Sequence, residues 1–368
     1  MIPLTAALLA GGVALVCSLL LPFVVRPVLV RLGIMDVPNE RSSHARPVLR
    51  GLGLAVLIAM VIAGVIGVLL FADAAPASAV WQVLAVVVAG SFCAGLLGLA
   101  EDLHGVSVNV RSALLLVIAL AAPIALFWVQ PSASVSLFNS GDVGRIAGAE
   151  ASFGWVPALP LWGTILLVIY AVFFISSYIN VANFMDGLNG ISGFHGLIAG
   201  LAFAGAGWGM GLPWLVAAGL ILGAGFAGFL PWNLTKPGAF LGDVGSYLLG
   251  GATAITSFAA LLAGVPLLAT IGPMVIYFGD VGVTLVKRVR AGHKWDEPHK
   301  EHTYQRIQQM GYSHVQASGF TAGATLITSL LGLASLFTGL WGTLALLAGG
   351  LAVLVFYLAL PKLLPARA

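Results

Sequence analysis

Charged residues are scarce in this chain. Only 8% of its 368 residues are charged, whereas about a quarter of the residues in a typical soluble domain carry a charge. Hydrophobic residues make up 60% of the chain, too many for a protein whose whole surface faces water. The composition therefore excludes a soluble enzyme and predicts an integral membrane protein. The net charge of +3 is too small to suggest nucleic acid as a partner.

Cysteine is also scarce. The two cysteines, Cys17 and Cys93, both lie in apolar runs, which predicts buried free thiols and no disulfide framework. The first apolar segment lacks a basic region before it. We therefore interpret it as a retained helix and not as a cleaved signal peptide.

Long apolar runs dominate what remains. Eleven segments approach the 20 or so mostly apolar residues that a helix needs to cross a bilayer. The sequence thus predicts an all-α polytopic membrane protein in which residues 1–368 form one membrane-embedded domain. The predicted spans are approximately 2–25, 51–71, 81–100, 112–129, 161–179, 191–209, 214–231, 244–263, 265–286, 317–339 and 341–360.

Basic residues are distributed unequally between the two sets of loops. Of the 16 Lys and Arg residues, all except Arg145 fall in one set of loops or in the C-terminal tail. Loops rich in Lys and Arg face the cytoplasm. This pattern predicts an N-terminus outside the cell, a C-terminus in the cytoplasm, and cytoplasmic polar loops.

Several polar groups interrupt the apolar pattern at these cytoplasmic ends. Asn183 and Asp186 are three residues apart, so a helix would place both side chains on one side. Together with Asp243 they offer hard oxygen ligands suited to Mg²⁺. Helix capping by Asn and Asp next to glycine explains the same pattern equally well.

A second acidic group is the pair Glu101-Asp102. Adjacent carboxylates repel, which raises the pKa of one of them and suits a general base. The alternative is a solvated acidic end of the neighbouring helix, with no catalytic role.

Two basic loops complete the polar set. In the first, Arg41, His44 or Arg46 could hold phosphate, although basic clusters beside a membrane usually serve topology or anionic lipids. In the last large loop, His299, His302 and Arg306 could bind phosphate. The alternative is that this basic loop is simply solvated. A zinc site there lacks further clustered ligands.

Taken together, these segments resemble the polyprenyl-phosphate N-acetylhexosamine-1-phosphate transferases, glycosyltransferase family 4, over roughly residues 36–306. The resemblance rests on the pattern Asn180-x-x-Asn183-x-x-Asp186-Gly187-x-Asn189-Gly190 and on Phe240-x-Gly242-Asp243-x-Gly245-Ser246. The first loop and the ending His299-x-x-His302-x-Tyr304-Gln305-Arg306 are similar to the branch that initiates O-antigen-type glycans. The peptidoglycan branch usually has three consecutive histidines and an Asp at position 189, and this chain has neither.

The resemblance implies a reaction and its partners. A polyprenyl phosphate, typically undecaprenyl phosphate, would attack the β-phosphorus of a UDP-N-acetylhexosamine in the bilayer and release UMP. The implied metal is Mg²⁺, with Mn²⁺ as an alternative. The expected location is the bacterial inner membrane with the active site facing the cytoplasm. A homodimer is an open alternative to a monomer.

The same resemblance implies a role for each candidate residue. The metal ligands would be Asp243 and Asn183, and the base would be Glu101 or Asp102. Uracil would be bound by Phe240, Asn233 and Asn189. The diphosphate and sugar would be lined by Asp186, His299, His302 and Arg306, of which Asp186 and His302 are expected to be catalytic. The family usually has two aspartates where this chain has Glu101-Asp102, and we expect Glu101 to be the base. A secondary transporter is the competing class of function, and the deep carboxylate Asp280 is the feature that favours it.

Overall fold

The computed structural model describes residues 2–36, 48–130, 135, 161–235, 238–294 and 299–367. Within these ranges, eleven helices are long and apolar enough to cross a membrane, which confirms the predicted all-α polytopic architecture. Arg41, His44, Arg46, Arg145 and the predicted outer loop at 130–160 lie outside the described residues, apart from 130 and 135.

Helices and one short two-stranded sheet make up the described fold, in the following chain order. The elements are α1 (Ile2–Leu20), α2 (Pro22–Arg31), β1 (Met35–Asp36), β2 (Val48–Leu49), α3 (Gly53–Ala74), α4 (Ala79–His104), α5 (Val108–Val129), α6 (Leu161–Met185), α7 (Ile191–Met210), α8 (Pro213–Leu234), α9 (Gly242–Leu262), α10 (Leu267–Ile271), α11 (Val275–Arg290), α12 (Thr303–Gln309), α13 (His314–Ala334) and α14 (Leu340–Leu363). The strands β1 and β2 pair antiparallel, with Met35 opposite Leu49.

Some boundaries differ from the sequence prediction. The first span ends at Leu20, because Pro22 starts the separate helix α2. Helix α4 continues to His104, so Glu101 and Asp102 lie on its last turn and not in a loop. The ninth span is interrupted by a 3-10 turn, Gly272–Met274, where Pro273 lacks the N–H of a regular helix.

Helix α9 occupies the centre of the bundle. All of its residues except Asp243 are buried. It packs against α3, α4 and α6, and smaller contacts reach α5, α7 and α8. A helix that is apolar on all sides and surrounded by protein is the expected core of a large membrane bundle.

The outer surface is apolar. Large side chains such as Trp128 (86% exposed), Trp162 (67%) and Phe173 (67%) point away from the protein. A bilayer covers such a belt, since lipid tails are as apolar as the side chains themselves. The polar side chains must therefore lie at the helix ends or inside the bundle.

Candidate active site

Three helix ends meet beside the N-terminus of α9. They are the last turn of α4, the last turn of α6 and the first turn of α9 itself. Glycines allow this close approach. A Cβ on Gly98 of α4 would lie 2.1 Å from the Asp243 carbonyl oxygen, and a Cβ on Gly53 of α3 would lie 2.5 Å from the Leu241 carbonyl oxygen. Backbone thus packs on backbone, and the carboxylates of α4 and α9 become neighbours.

An arginine joins the two carboxylates. Arg50 Nε lies 3.0 Å from Asp102 Oδ1, and Arg50 Nη2 lies 2.7 Å from Asp243 Oδ2. The other Asp102 oxygen, Oδ2, accepts a 2.9 Å hydrogen bond from Val244 N, in the first turn of α9. The Asp102 side chain is only 2% exposed, whereas Asp243 is 21% exposed and opens toward the surface.

Arg50 is placed by the backbone around it. Phe240 N donates to Leu49 O (2.8 Å), and Gly53 N donates to Leu241 O (2.8 Å). Residues 49–53 therefore run beside residues 240–241. Gly51 has φ +84° and Gly242 has φ +77°, and glycine adopts such angles without strain. The two turns direct Arg50 across the gap between α4 and α9.

The α6 side of the site contributes an amide and a second carboxylate. Asn183 Nδ2 donates to Asp243 Oδ1 (2.8 Å) and to Ser246 Oγ (3.0 Å). Asp186, in the turn after α6, accepts a 2.6 Å hydrogen bond from Ser192 Oγ. Burial raises the pKa of Asp186 to about 7, and the negative charge of Asp243 adds to this effect.

The residues present fit a magnesium ion. Among the described residues, no three His, Cys, Asp or Glu side chains form a metal-binding group. Mg²⁺ needs only one or two carboxylates, because water and substrate phosphates complete its six ligands. Asp243 supplies one such carboxylate beside Asn183. The buried Asp102 Oδ1 accepts no hydrogen bond of regular geometry, and its ion pair with Arg50 shows that this position favours positive charge.

Glu101 lies next to Asp102 in sequence but faces other partners. Its carboxylate accepts a hydrogen bond from Val106 N (3.1 Å) and pairs with Arg111 Nη1 (3.3 Å). These contacts close the turn between α4 and α5. The structure therefore favours Asp102 over Glu101 as the carboxylate that serves the cluster.

Hydrogen bonds join the predicted uracil-binding residues. The Asn189 amide donates to the backbone oxygen of Asn233, and the Asn233 amide donates to Ala239 O (2.9 Å). Gly190 N donates to Asn233 Oδ1. Phe240 follows directly and is half-buried. Asn189, Asn233 and Phe240, which are distant in sequence, thus lie in one place as the resemblance implies.

The two histidines of the last loop also lie together, and a buried carboxylate supports them. The ring centroids of His299 and His302 are 4.8 Å apart. Asp280 is fully buried, and both its oxygens accept from Thr303 N (3.1 and 3.0 Å). His302 Nδ1 lies 3.4 Å from Asp280 Oδ1. Burial lowers the pKa of His299 to about 4, so this imidazole is neutral at physiological pH.

Helix α12 connects the loop of His299 and His302 to the end of α6, which precedes Asp186. Tyr304 OH donates to Phe184 O (3.0 Å), and its ring lies against Gly187. Arg306 instead lines a cavity of about 130 Å³ with Thr284, Lys287 and Glu301.

The chain is similar over most of its length to known membrane transferases. Decaprenyl-phosphate N-acetylglucosaminephosphotransferase of Mycobacterium tuberculosis (strain ATCC 25618 / H37Rv) is 30% identical over 345 residues, which cover 85% of this chain and 78% of that protein. The protein of the same name from Mycolicibacterium smegmatis is 30% identical over 348 residues, 86% of this chain and 79% of its own length. A probable undecaprenyl-phosphate N-acetylglucosaminyl 1-phosphate transferase of Bacillus subtilis is 25% identical over 314 residues, 82% and 78% of the two chains.

The model of glycosyl transferase family 4 matches residues 84–261, from within α4 to the penultimate residue of α9. The chain belongs to this family. The family is that of the polyprenyl-phosphate N-acetylhexosamine-1-phosphate transferases, so the protein is a membrane-embedded phosphosugar transferase. Membership decides against the transporter hypothesis, and the depth of Asp280 is explained by its hydrogen bonds to α12.

Sequence reasoning missed three residues that contact the predicted site residues. Arg50 was one of several basic residues in the first loop, and only the contact between residues 49–53 and 240–241 singles it out. Asp280 was recognised as unusually deep, but its partner Thr303 is 23 residues away. His314 was not among the predicted site residues, yet its Nδ1 lies 2.9 Å from Asn189 Oδ1.

Proposed function

We propose that the protein transfers N-acetylhexosamine 1-phosphate from a UDP-sugar to undecaprenyl phosphate, giving undecaprenyl-diphospho-sugar and UMP. The sugar would be GlcNAc or a 6-deoxy relative. This reaction would be the first membrane step of O-antigen or other cell-surface polysaccharide synthesis, at the cytoplasmic face of a bacterial inner membrane. The observation that carries the proposal is the Asp102–Arg50–Asp243 cluster at a helix-end junction in a member of this family.

The chemistry requires two phosphate groups to approach each other. An oxygen of the lipid phosphate attacks the β-phosphorus, and the bond from that phosphorus to the oxygen of UMP breaks. Positioning and charge neutralisation supply most of the catalysis in such transfers. If the attacking phosphate carries a proton, the Asp102 carboxylate would accept it. Its position is held by Val244 N and Arg50.

Asp243, with Asn183 beside it, would hold Mg²⁺. When bound, this ion neutralises phosphate charge and polarises the phosphoryl oxygens. Asn189, Asn233 and Phe240 would bind the uridine end of the donor. Asp186, His299 and His302 would lie near the diphosphate and the sugar. Arg306 lines a cavity on the α11 side of α12, so its proposed contact with the diphosphate has the least support from the geometry.

A direct assay tests the proposal. The purified protein, with undecaprenyl phosphate, Mg²⁺ and one UDP-sugar at a time, should release UMP and form a lipid-linked sugar. UDP-GlcNAc, UDP-GalNAc and 6-deoxy UDP-sugars would identify the donor, and decaprenyl phosphate would test the lipid preference. EDTA should stop the reaction and Mg²⁺ should restore it.

Variants make the assay specific to the site. Asp243→Asn keeps the size of the side chain and removes its charge, so turnover should be lost while the protein stays folded. Asp73→Asn is the matched control, because Asp73 is an exposed carboxylate at the end of α3. The proposal is wrong if no UDP-sugar yields UMP with either lipid, or if Asp243→Asn retains full Mg²⁺-dependent activity.

A further inference from the structure

The start of α13 contacts the predicted nucleotide pocket. His314 Nδ1 lies 2.9 Å from Asn189 Oδ1, and Ser318 Oγ donates to the Asn189 backbone oxygen (2.9 Å). His314 and Ser318 are four residues apart, so they lie on the same face of α13. This face therefore holds Asn189 through both its side chain and its backbone.

The contact fixes the orientation of the Asn189 amide. Oδ1 of an amide can only accept hydrogen bonds, so His314 Nδ1 must be the protonated ring nitrogen. The Asn189 nitrogen donates to the backbone oxygen of Asn233. With Oδ1 facing α13 and Nδ2 facing α8, the amide cannot flip without losing both bonds. The remaining amide hydrogen keeps a defined direction.

Residues 365–367 in turn hold the segment that leads into α13. We call this contact the C-terminal clasp. Arg367 N donates to Met310 O (2.8 Å), and Tyr312 OH donates to Pro365 O (3.1 Å). The Arg367 guanidinium lies 4.1 Å from the centroid of the Tyr312 ring, and its Nη1 donates to Gln316 Oε1 (3.1 Å).

The clasp leaves little freedom to the segment. Tyr312 is only 4% exposed although it lies in a loop. Gly311 has φ +92°, and a Cβ there would lie 2.4 Å from the Arg367 carbonyl oxygen. Two residues after Tyr312, the chain reaches His314. Movement of the clasp would therefore move the residue that orients Asn189.

We propose that His314 is a positioning residue of the nucleotide-binding pocket and that the C-terminal clasp, through Arg367 and Tyr312, sets its place. The inference rests on the proposed function, because it assigns the uridine end of a UDP-sugar to the pocket of Asn189. It makes affinity for the nucleotide depend on a part of the chain that contributes none of the reacting groups.

The test separates binding from chemistry. His314→Ala should raise KM for the UDP-sugar and Kd for UMP by about five- to tenfold, the loss expected for one well-placed hydrogen bond. The value of kcat should change by less than about twofold. His314→Asn should recover much of the affinity, because an Asn side chain places an N–H near the position of Nδ1.

The clasp is tested in the same way. Arg367→Ala should raise the same two constants by about two- to fivefold, and Arg367→Lys should partly restore them, because a lysine also interacts with an aromatic ring. Lys362→Ala is the matched control, since Lys362 is an exposed basic residue of the preceding helix turn. Isothermal titration with UMP gives Kd without turnover.

The outcomes distinguish the two proposals. Unchanged KM and Kd in His314→Ala and Arg367→Ala, in an active protein, would overturn the inference alone. A fall in kcat with unchanged KM would also overturn it. A wild-type protein that neither binds UMP nor releases it would instead overturn the proposed function. If His314→Ala does not fold, His314→Asn and Arg367→Ala decide the question.

Discussion

At the residue level, the pair Glu101-Asp102 shows how two neighbouring carboxylates acquire different surroundings. Asp102 is buried among Arg50, Val244 and Asp243, whereas Glu101 turns toward Val106 and Arg111. Adjacent positions on a helix point about 100° apart, so only one of the two can face α9. The expectation that Glu101 acts as the base remains untested, and the geometry favours Asp102.

This difference predicts unequal effects of substitution. Asp102→Asn should lower kcat by roughly two to four decades, the range for loss of a general base. Glu101→Gln should lower it by less than about tenfold, because a partly exposed ion pair contributes only about 1 kcal/mol or less. Initial rates at saturating lipid and UDP-sugar would check this. A larger loss of kcat in Glu101→Gln than in Asp102→Asn would instead identify Glu101 as the base.

Asp186 should make stability depend on pH. Its pKa is raised from 3.8 to about 7, mainly by burial, so the folded protein binds this proton more tightly than the unfolded chain does. Its contribution to stability is therefore complete below about pH 4 and is lost as the pH rises to about 7 and above. Thermal unfolding in detergent with EDTA should show Tm falling across this window.

Asp186→Asn provides the comparison, because an amide does not titrate. The difference in Tm between wild type and variant should shift in favour of the variant as the pH rises. Parallel Tm curves over pH 4 to 8 would show that Asp186 is not the titrating group. Asp73→Asn, which replaces an exposed carboxylate, should show the same pH dependence of Tm as the wild type.

At the level of helices, the site depends on backbone contact between α4 and α9. Gly98 of α4 packs directly on the Asp243 carbonyl group, with 2.1 Å between its potential Cβ and that oxygen. A distance under 3.0 Å has no room for a methyl group, so α4 or α9 must shift. Either movement changes the separation of Asp102 and Asp243.

Gly98→Ala adds only one methyl group but should lower activity strongly. We expect kcat to fall by about tenfold or more, since small displacements of reacting groups can cost up to 100-fold. Gly12→Ala in α1 is the matched control, because nothing lies within 4 Å of its potential Cβ. Normal kcat in Gly98→Ala would mean that the contact has no bearing on catalysis.

The helix ends also show what sequence could and could not predict. The number of spans could be predicted from the lengths of the apolar segments. Counting the spans also predicted that Asn183, Asp186 and Asp243 lie at the same end of the bundle. The choice of Arg50 among several arginines depended on backbone pairing with residues 240–241. The contact of His314 with Asn189 joins positions 125 residues apart, and no local pattern encodes such a distance.

For the whole molecule, orientation in the membrane is the prediction that remains open. The unequal distribution of Lys and Arg predicts that the loop between α3 and α4 lies outside the cell and that the segment after α11 lies in the cytoplasm. Ala77 and Ala291 are exposed positions in these two segments. A single cysteine at each can report its side, once Cys17 and Cys93 have been replaced.

In intact cells, a maleimide that does not cross membranes should label Ala77→Cys and not Ala291→Cys. After the membrane is permeabilised, both should react. The opposite pattern in intact cells would place the aspartate cluster on the outer face, where no cytoplasmic UDP-sugar could reach it.

The central position of α9 has a consequence for how the protein is made. Every residue of α9 except Asp243 is buried, and Ser246, Thr253, Thr256 and Ser257 add hydroxyl groups to its surface. A newly synthesised α9 that met lipid would leave several of these groups without partners. Its ribosomal synthesis follows that of α3, α4 and α6, which pack against it. We therefore expect these helices to stay near the insertion machinery until α9 has been synthesised. The catalytic centre would then form late in biogenesis.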